Sequence, residues 1–331
     1  MNRRERKPCR PRQNACAAFR RFEDITVGAH LAASIAGGDH CEALTVHLKE
    51  DQKDVVTSIA STCGTRAKMP KSVSISKIDG KPGKVYYPLS LDEVAKPTPG
   101  KGEVLVKISA AALNHRDLFI RQHLYPSIAF GVPLLADGCG TVADLGEGVD
   151  SGWKGKRVVI NPGEGWADSL EGPEDKGGYK ILGATTTLPN GTLQEFMVVK
   201  QTELEEAPAH LDNAEAAAVP LTGLTAWRAT MVKCGHNIGP GKNVLVTGIG
   251  GGVALMALEF ARAAGANVYV TSGSEEKLGK AKELGAKGGV SYKEKDWDKK
   301  LLGMLSKGEK FDAIVVSRRT RKHAMNELTA F

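Results

Sequence analysis

The run Val244-Leu-Val-Thr-Gly-Ile-Gly-Gly-Gly-Val-Ala254 carries the strongest chemical signal in the chain. A short apolar, β-branched stretch leads into glycines and then into the alanine-rich residues 255–264. That order reads as strand, tight turn and helix, the way a dinucleotide-binding unit begins. Such a turn leaves backbone N–H groups uncovered at a helix N-terminus, where a pyrophosphate is bound. Glycine is required because a Cβ would hold the phosphate away or forbid the dihedral angles. Gly248, Gly251 and Ala254 are spaced Gly-x-x-Gly-x-x-Ala, with Gly252 as an extra small residue and Val253 beside it. A glycine pattern alone is a weak signal, so its flanks decide.

A second position addresses which nucleotide is bound. At the end of the following strand, a site for a dinucleotide without a 2′-phosphate carries an Asp or Glu that accepts from the ribose hydroxyls. Here the chain reads Thr271-Ser-Gly-Ser-Glu-Glu-Lys277, with no acid directly at the strand end. The hydroxyls, Ser272 foremost, and Lys277 suit a phosphate instead. The reading is therefore NADP(H) rather than NAD(H), with Glu275 and Glu276 as the residues that would reach a ribose in the alternative. Other phosphate and hydrolase chemistries fit less well. Gly239-Pro-Gly-Lys-Asn243 has the wrong spacing for a phosphate loop and precedes its strand, and no Gly-x-Ser-x-Gly elbow occurs.

These residues need a scaffold, and the pattern around them supplies one. Strands are expected at 267–271, 289–292 and 311–316, with helices at 275–284 and 297–306. Strands alternating with helices argue an α/β fold with a parallel sheet covered on both faces. Upstream, residues 103–109 alternate apolar and polar at period two. Residues 140–143, 156–160 and 192–199 add short strands separated by Gly and Pro, which suggests a β-barrel-like first domain. The acidic, glycine-rich stretch 161–188 reads as a long surface loop. Residues 211–219 start a helix, with Asp212 placed to cap it and Glu215 three residues on. The domain boundary is expected near 205–220. Residues 1–70 show weak periodicity and read as a poorly packed extension holding at most one short helix.

At 331 residues and 41% hydrophobic content the chain has room for two globular domains, and its net charge is +7. The charge is concentrated at the ends. Residues 1–22 carry eight Arg and Lys against one Glu, residues 318–331 carry four against Glu327, and the interval between is mildly acidic. Without a basic face interleaved with aromatics, nucleic acid is a poor partner. No apolar run approaches the roughly 18 residues of a membrane span. The six cysteines, Cys9, Cys16, Cys41, Cys63, Cys139 and Cys234, show no Cys-x-x-Cys spacing and read as free thiols of a reducing compartment. A cytoplasmic location is expected, with mitochondrial import second. The first 22 residues are arginine-rich and acid-poor, but they lack serine and are interrupted by Pro8 and Pro11.

Five separated motifs then agree on a family: Asn114-His-Arg-Asp-Leu118, Pro220-Leu-Thr-Gly-Leu-Thr-Ala-Trp227, residues 246–254, residues 271–277 and Val290-Ser-Tyr292. Over about residues 72–316 the chain resembles the medium-chain dehydrogenase/reductase superfamily, in its quinone oxidoreductase-like and zinc-type alcohol dehydrogenase-like branches. The resemblance implies a GroES-like β-barrel domain over 71–210, a Rossmann NADP-binding domain over 211–317 and an active cleft between them. It implies hydride transfer to a small carbonyl or quinone substrate, commonly in a homo-oligomer. Asn114 resembles the family residue near the nicotinamide, where its amide can donate to a developing oxyanion, and Tyr125 is a second candidate lining the cleft. Thr222 resembles the contact to the nicotinamide ribose, and Tyr292 the residue beside the adenine ribose or its phosphate. Asp117 reads as structural.

The resemblance also addresses metal. Zinc-dependent members carry Cys where this chain has Asn114, His-Glu where it has Ala136-Asp137, and another Cys near Leu221. Asn is a poor zinc ligand, Ala is none, and a lone Asp cannot complete a site that needs three protein ligands. His115 matches a position usually behind the metal ligands. No catalytic zinc is therefore expected, and no structural zinc lobe either. A dinucleotide domain of this type has six strands, of which four are counted here, so the domain is read as incomplete, C-terminally truncated and followed by a non-family basic tail at 318–331. The reading is an NADPH-dependent oxidoreductase acting on a quinone, enone or other carbonyl compound without zinc. The alternatives are a truncated, inactive nucleotide-binding relative and a zinc-type alcohol dehydrogenase-like protein.

Overall fold

The computed structural model describes Ala32–Ile35, Leu44–Val46 and residues 69–316. Four of the six cysteines and both basic tails lie outside the described residues. So does most of the expected extension, within which the described pieces are two short strands rather than a helix. The chain divides into two compact units, at Leu221 and Thr222.

The first unit is built on antiparallel strands: β1 (Ala32–Ile35), β2 (Leu44–Val46), β3 (Lys71–Ile75), β4 (Leu89–Glu93), β5 (Glu103–Ala112), β6 (Asp137–Leu145), β7 (Arg157–Ile160), β8 (Gly163–Glu164), β9 (Lys180–Ile181), β10 (Phe196–Lys200) and β11 (Leu204–Glu206). Seven of them form one sheet in the order β11-β7-β6-β5-β1-β2, with β10 also paired to β5, while β3–β4 and β8–β9 form separate hairpins. Strand β5 is the spine. Its alternate residues Val104, Val106 and Ile108 pack with Val142, Val158, Ile160 and Met197 in one core. Ala111 belongs to a second core with Ile75, Tyr87, Ile120 and Leu135. The expected strand at 192–199 pairs regularly only from Phe196, because Thr192 and Leu193 instead donate to the carbonyls of Leu135 and Leu134. The short helix α1 (His115–Arg121) follows β5 directly, and α2 (Asn213–Ala217) is capped by Asp212, whose carboxylate accepts from Glu215 N at 2.8 Å while Glu215 answers Asp212 N at 3.0 Å.

The β5–β6 register decides what surrounds α1. Ala112, the last residue of β5, lies opposite Asp137, the first of β6. Asn114 stands two residues past that pair, so its side chain begins beside the Asp137 carboxylate.

Helix α3 (Pro220–Trp227) runs into a π-helical stretch, Arg228–Cys234, for which the sequence offers no recognisable signal. Beyond it the second unit alternates β12 (Asn243–Thr247), α4 (Gly252–Ala263), β13 (Asn267–Ser272), α5 (Glu275–Glu283), β14 (Gly288–Ser291), α6 (Trp297–Leu302) and β15 (Ala313–Val316). The four strands form a parallel sheet in the order β14-β13-β12-β15. Every residue of β12 is buried, as a strand covered on both faces requires. Helix α4 buries Ala254, Met256, Ala257, Leu258, Phe260 and Ala261, and Phe260 meets Trp227 edge to face at 5.4 Å. Two elements are shorter than the sequence pattern suggests. Helix α6 stops at Leu302 because Gly303 takes its C-cap. Strand β15 starts at Ala313 because the preceding Asp312 turns its carboxylate to Asn243 N and Lys242 Nζ, each at 2.9 Å.

Leu245 is fully buried at the centre of this sheet, in a cluster with Tyr269, Val290, Leu301 and Phe311. Leu245→Ala is expected to destabilise the second unit by about 2–5 kcal/mol, through lost burial and the cavity left behind. Urea unfolding followed by hydrogen exchange of the β12 and β13 amides checks this.

Candidate functional site

The residues singled out by the sequence fall into two groups, one in each unit. In the first unit Asn114 is the N-cap of α1 with extended backbone (φ −123°, ψ 162°). Its N–H is accepted by Asp117 Oδ2 at 2.7 Å, the carboxylate reaching back over the first turn. Its side-chain Nδ2 donates to Asp137 Oδ2 at 2.8 Å, and the other oxygen of Asp137 accepts the backbone N–H of Leu221, also at 2.8 Å. The backbone oxygen of Asp137 is in turn held by Thr192 Oγ1 at 2.7 Å. Asp137 is 1% exposed. The positions from which the zinc-dependent pattern draws its ligands are therefore tied together by one carboxylate.

Two buried acids lie in this small volume, and their protonation follows from it. Burial pushes the Asp137 carboxyl up to about 7, opposed by the N–H groups of Asn114 and Leu221, which favour the ionised form. Burial raises Asp117 to about 6, opposed by the Arg116 guanidinium and by the Asn114 N–H. Arg116 of α1 is the cation in contact with Asp117. Its Nη1 meets Asp117 Oδ1 at 3.1 Å and its Nη2 donates to the Gly183 carbonyl at 3.0 Å. Its buried Nε has no partner among the described residues. The guanidinium also lies over the ring of Tyr125, 4.9 Å from the centroid, so half-buried Tyr125 is held by a cation–π contact as well as by its core neighbours. Gly183 is there for space, since a Cβ would stand 2.7 Å from Nη1. His115 is exposed and packs on Phe119 at 5.7 Å. Among the described residues no three of His, Cys, Asp and Glu come together.

In the second unit the glycine turn joins β12 to α4. Gly248 (φ +69°) and Gly250 (φ +105°) occupy the left-handed region, and Gly251 caps the helix that Gly252 begins. The turn is fastened to the end of β13: Ile249 N donates to the Thr271 carbonyl at 2.8 Å and Gly248 N to Thr271 Oγ1 at 3.3 Å. At the helix start a Cβ on Gly252 would meet Thr222 Cγ2 at 2.8 Å, so Thr222 lies directly against the turn and half-buried Val253 follows it. The first-turn N–H groups of α4 have no intrahelical acceptor, which together with the bare glycines makes a cradle of the right chemistry for a pyrophosphate.

The end of β13 is built around the same turn. The Ser272 hydroxyl is buried and engaged, donating to the Ile249 carbonyl at 3.4 Å and accepting from Ser274 N at 3.2 Å. Ser272 therefore shapes the turn. Ser274 caps α5 by accepting from Lys277 N at 3.4 Å. The Lys277 stem passes beside Gly250, where a Cβ would meet its Cδ at 2.5 Å and its Nζ at 3.2 Å. Tyr292, half-exposed, brings its hydroxyl to within 2.6 Å of where a Gly273 Cβ would stand, with Lys293 Cε at 3.0 Å. Of the two acids nearby, Glu276 is paired with Lys280 at 2.9 Å and Glu275 is exposed on α5. Gly248, Gly251, Gly252, Val253, Ser272, Lys277 and Tyr292 thus lie just past or at the C-terminal ends of β12, β13 and β14, with Thr222 against Gly252.

Three residues escaped sequence reasoning. Lys293 is one position past a residue that was noticed. Arg116 sits inside a quoted motif without a role. Asp137 carried a readable signal, an acid in the otherwise apolar and small-residue run Pro-Leu-Leu-Ala-Asp-Gly-Cys-Gly. A charge placed in such a strand is buried and must be hydrogen-bonded.

Comparison with known proteins agrees with this architecture. Residues 100–209 match the alcohol dehydrogenase GroES-like domain, and residues 252–326 match the zinc-binding dehydrogenase domain. The zinc-type alcohol dehydrogenase-like protein YogA of Leptosphaeria maculans is 48% identical over 255 residues, covering 75% of this chain and 71% of that protein. An acryloyl-coenzyme A reductase of Metallosphaera sedula is 34% identical over 187 residues, 56% of this chain and 55% of its own. The crystal structure of an NAD-dependent alcohol dehydrogenase superposes with a TM-score of 0.63 at 36% identity, covering 74% of this chain and 70% of that one. The barrel-and-Rossmann pair, the five motifs and these relatives place the chain in the medium-chain dehydrogenase/reductase superfamily of oxidoreductases.

Proposed function

We propose that this chain is an NADP(H)-dependent reductase of quinones, enones or related carbonyl compounds, working without catalytic zinc. The observation that carries the reading is the end of β13. No carboxylate stands there to accept from ribose hydroxyls, and Lys277 leans over Gly250 of the phosphate-binding turn while Tyr292 covers Gly273. A 2′-phosphate would meet the Lys277 ammonium and the Tyr292 hydroxyl, and the pyrophosphate would rest on the N–H groups of Gly252 and Val253 at the start of α4, Gly251 N being turned to the Gly248 carbonyl. Thr222, against Gly252, would touch the nicotinamide ribose side. When bound, NADPH supplies the hydride.

The metal-free mode rests on donor chemistry. Asn114 has its Nδ2 turned to Asp137 at 2.8 Å, and Ala136 and Leu221 carry no ligand atom. That set does not fit zinc. The acceptor's developing negative charge must then be met by hydrogen bonds. The second N–H of Asn114 Nδ2 is a donor for that oxygen, and the Tyr125 hydroxyl, held through the ring by Arg116, is another. Such donors suffice where hydride addition yields a delocalised enolate or hydroquinone anion.

Fluorescence titration is expected to show NADPH bound more tightly than NADH, with Lys277→Ala weakening NADPH by about tenfold or more and leaving NADH unchanged. Equal affinities in the parent protein would remove the phosphate assignment. Turnover with a quinone and enone panel is expected to survive prolonged dialysis against a strong zinc chelator, and elemental analysis is expected to find no stoichiometric zinc. Loss of activity restored by zinc would overturn the metal-free mode. The raised carboxyls set a pH dependence. A folded-state pKa above the unfolded value favours folding at low pH and loses that contribution as pH climbs through it. Stability is therefore expected to decline between about pH 4 and 7. Asp137→Asn should flatten that slope and leave the smaller part due to Asp117, as read from urea midpoints across the pH series.

A further inference from the structure

We propose that Asp137 is a positioning residue for hydride transfer, its carboxylate fixing the direction in which the Asn114 amide presents its remaining N–H. The inference rests on the reductase reading above and goes beyond it, because Asp137 touches neither cofactor nor substrate in that reading.

Three features carry it. The first is chemical: both Asp137 carboxyl oxygens accept, one from Leu221 N–H and the other from Asn114 Nδ2, so the amide faces the carboxyl through nitrogen. Of the two rotations of that amide, which differ by exchanging a donor for an acceptor, one is selected. The second is geometric. Asp137 is itself immobilised on every side. Its backbone is in the β5–β6 ladder opposite Ala112, its carbonyl is held by Thr192 Oγ1 at 2.7 Å, and its second carboxylate oxygen takes the Leu221 N–H at 2.8 Å. Gly138 permits the close approach of Thr192, whose Cβ would lie 2.9 Å from a Cβ at that position. The third is the opposite clamp on the same residue: Asp117 Oδ2 holds Asn114 N at 2.7 Å, so backbone and side chain of Asn114 are fixed by two different acids. The groups facing Asp137 are Asn114 and Leu221 N, with the more distant Asp117, Arg116 and the Tyr179 hydroxyl. In zinc-dependent relatives a metal would organise these positions, whereas here a carboxylate does.

The test uses the full chain with asparagine-selective ¹⁵N labelling, together with steady-state kinetics and cofactor titration. The Asn114 side-chain NH₂ pair is assigned as the one lost in Asn114→Ala. Asp137→Asn is expected to shift that pair, to lower kcat by roughly 10–100-fold as a misplaced group does, and to leave NADPH affinity unchanged. Asn114→Ala is expected to lower kcat on the order of 100-fold. The double variant should fall no further than the worse single one, because the two act as a unit. Asp137→Glu, which keeps two acceptor oxygens, should recover part of the loss, and it carries the same comparison should Asp137→Asn not fold. An unmoved Asn114 signal, or losses that multiply in the double variant, overturns the positioning role while the reductase reading stands. A parent protein that binds NADPH yet reduces no acceptor overturns the reductase reading, and the role of Asp137 falls with it.

Discussion

A buried carboxylate with two fixed donors is the constraint around which the first unit is organised. Asp137 opens β6, and its side chain reaches the N-cap of α1 and the N–H of Leu221 at the head of α3. Removing a carboxylate from water is costly unless its lone pairs are met. Its surroundings are therefore ordered as much by that need as by apolar packing. Asp117 repeats the arrangement one helical turn away, with Arg116 as its counter-ion and the Gly183 carbonyl as the guanidinium's other partner. Asn114 stands between the two acids. Its conformation is an outcome of both, which is why a residue at the mouth of a short helix can be held as firmly as one in a core.

The second unit solves a different problem, that of keeping a patch of backbone bare. Gly248 and Gly250 adopt dihedrals that side chains resist, and the bonds from Ile249 and Gly248 to Thr271 hold the turn open against the neighbouring strand. The same strand end supplies the surface to which the NADP(H) proposal assigns discrimination. Ser272 is engaged with the turn itself, so the charge available near it comes from Lys277 and Lys293. Glu276 is drawn off to Lys280. Glu275 is exposed on α5.

Much of this was legible in the amino-acid sequence. Period-two alternation marked β5, the glycine spacing marked the β12–α4 turn, and Asp212 with Glu215 marked the cap of α2. Each is a local pattern with a local cause. What escaped has non-local causes. Nothing in Thr192, Leu193 and Glu195 announces that their N–H groups go to Leu135, Leu134 and Lys71 instead of a ladder. The engagement of Ser272 depends on Ile249, 23 residues away. Asp137 and Leu221 are 84 residues apart. From sequence, Asp137 is visible only as an inadequate zinc ligand; its function as an acceptor appears once the β5–β6 register is known.

That register suggests how one scaffold moves between metal-assisted and metal-free chemistry. A zinc site needs three donors converging on a point, whereas Asn114 and Leu221 here converge on the Asp137 carboxylate. In the proposed metal-free reading, an Asn114 amide and Ala136 at the positions expected to carry ligands make a cluster that fits a dication poorly, and the segments still require something to fix them. An acid in that cluster serves, because it accepts from an amide and from a backbone N–H in the space where ligands would have met. The consequence reaches the substrate. A dication polarises an isolated carbonyl strongly, whereas an amide N–H offers a weaker, directional pull. The site, as proposed, would favour acceptors that spread their own charge as hydride arrives, which is the property quinones and α,β-unsaturated carbonyls share.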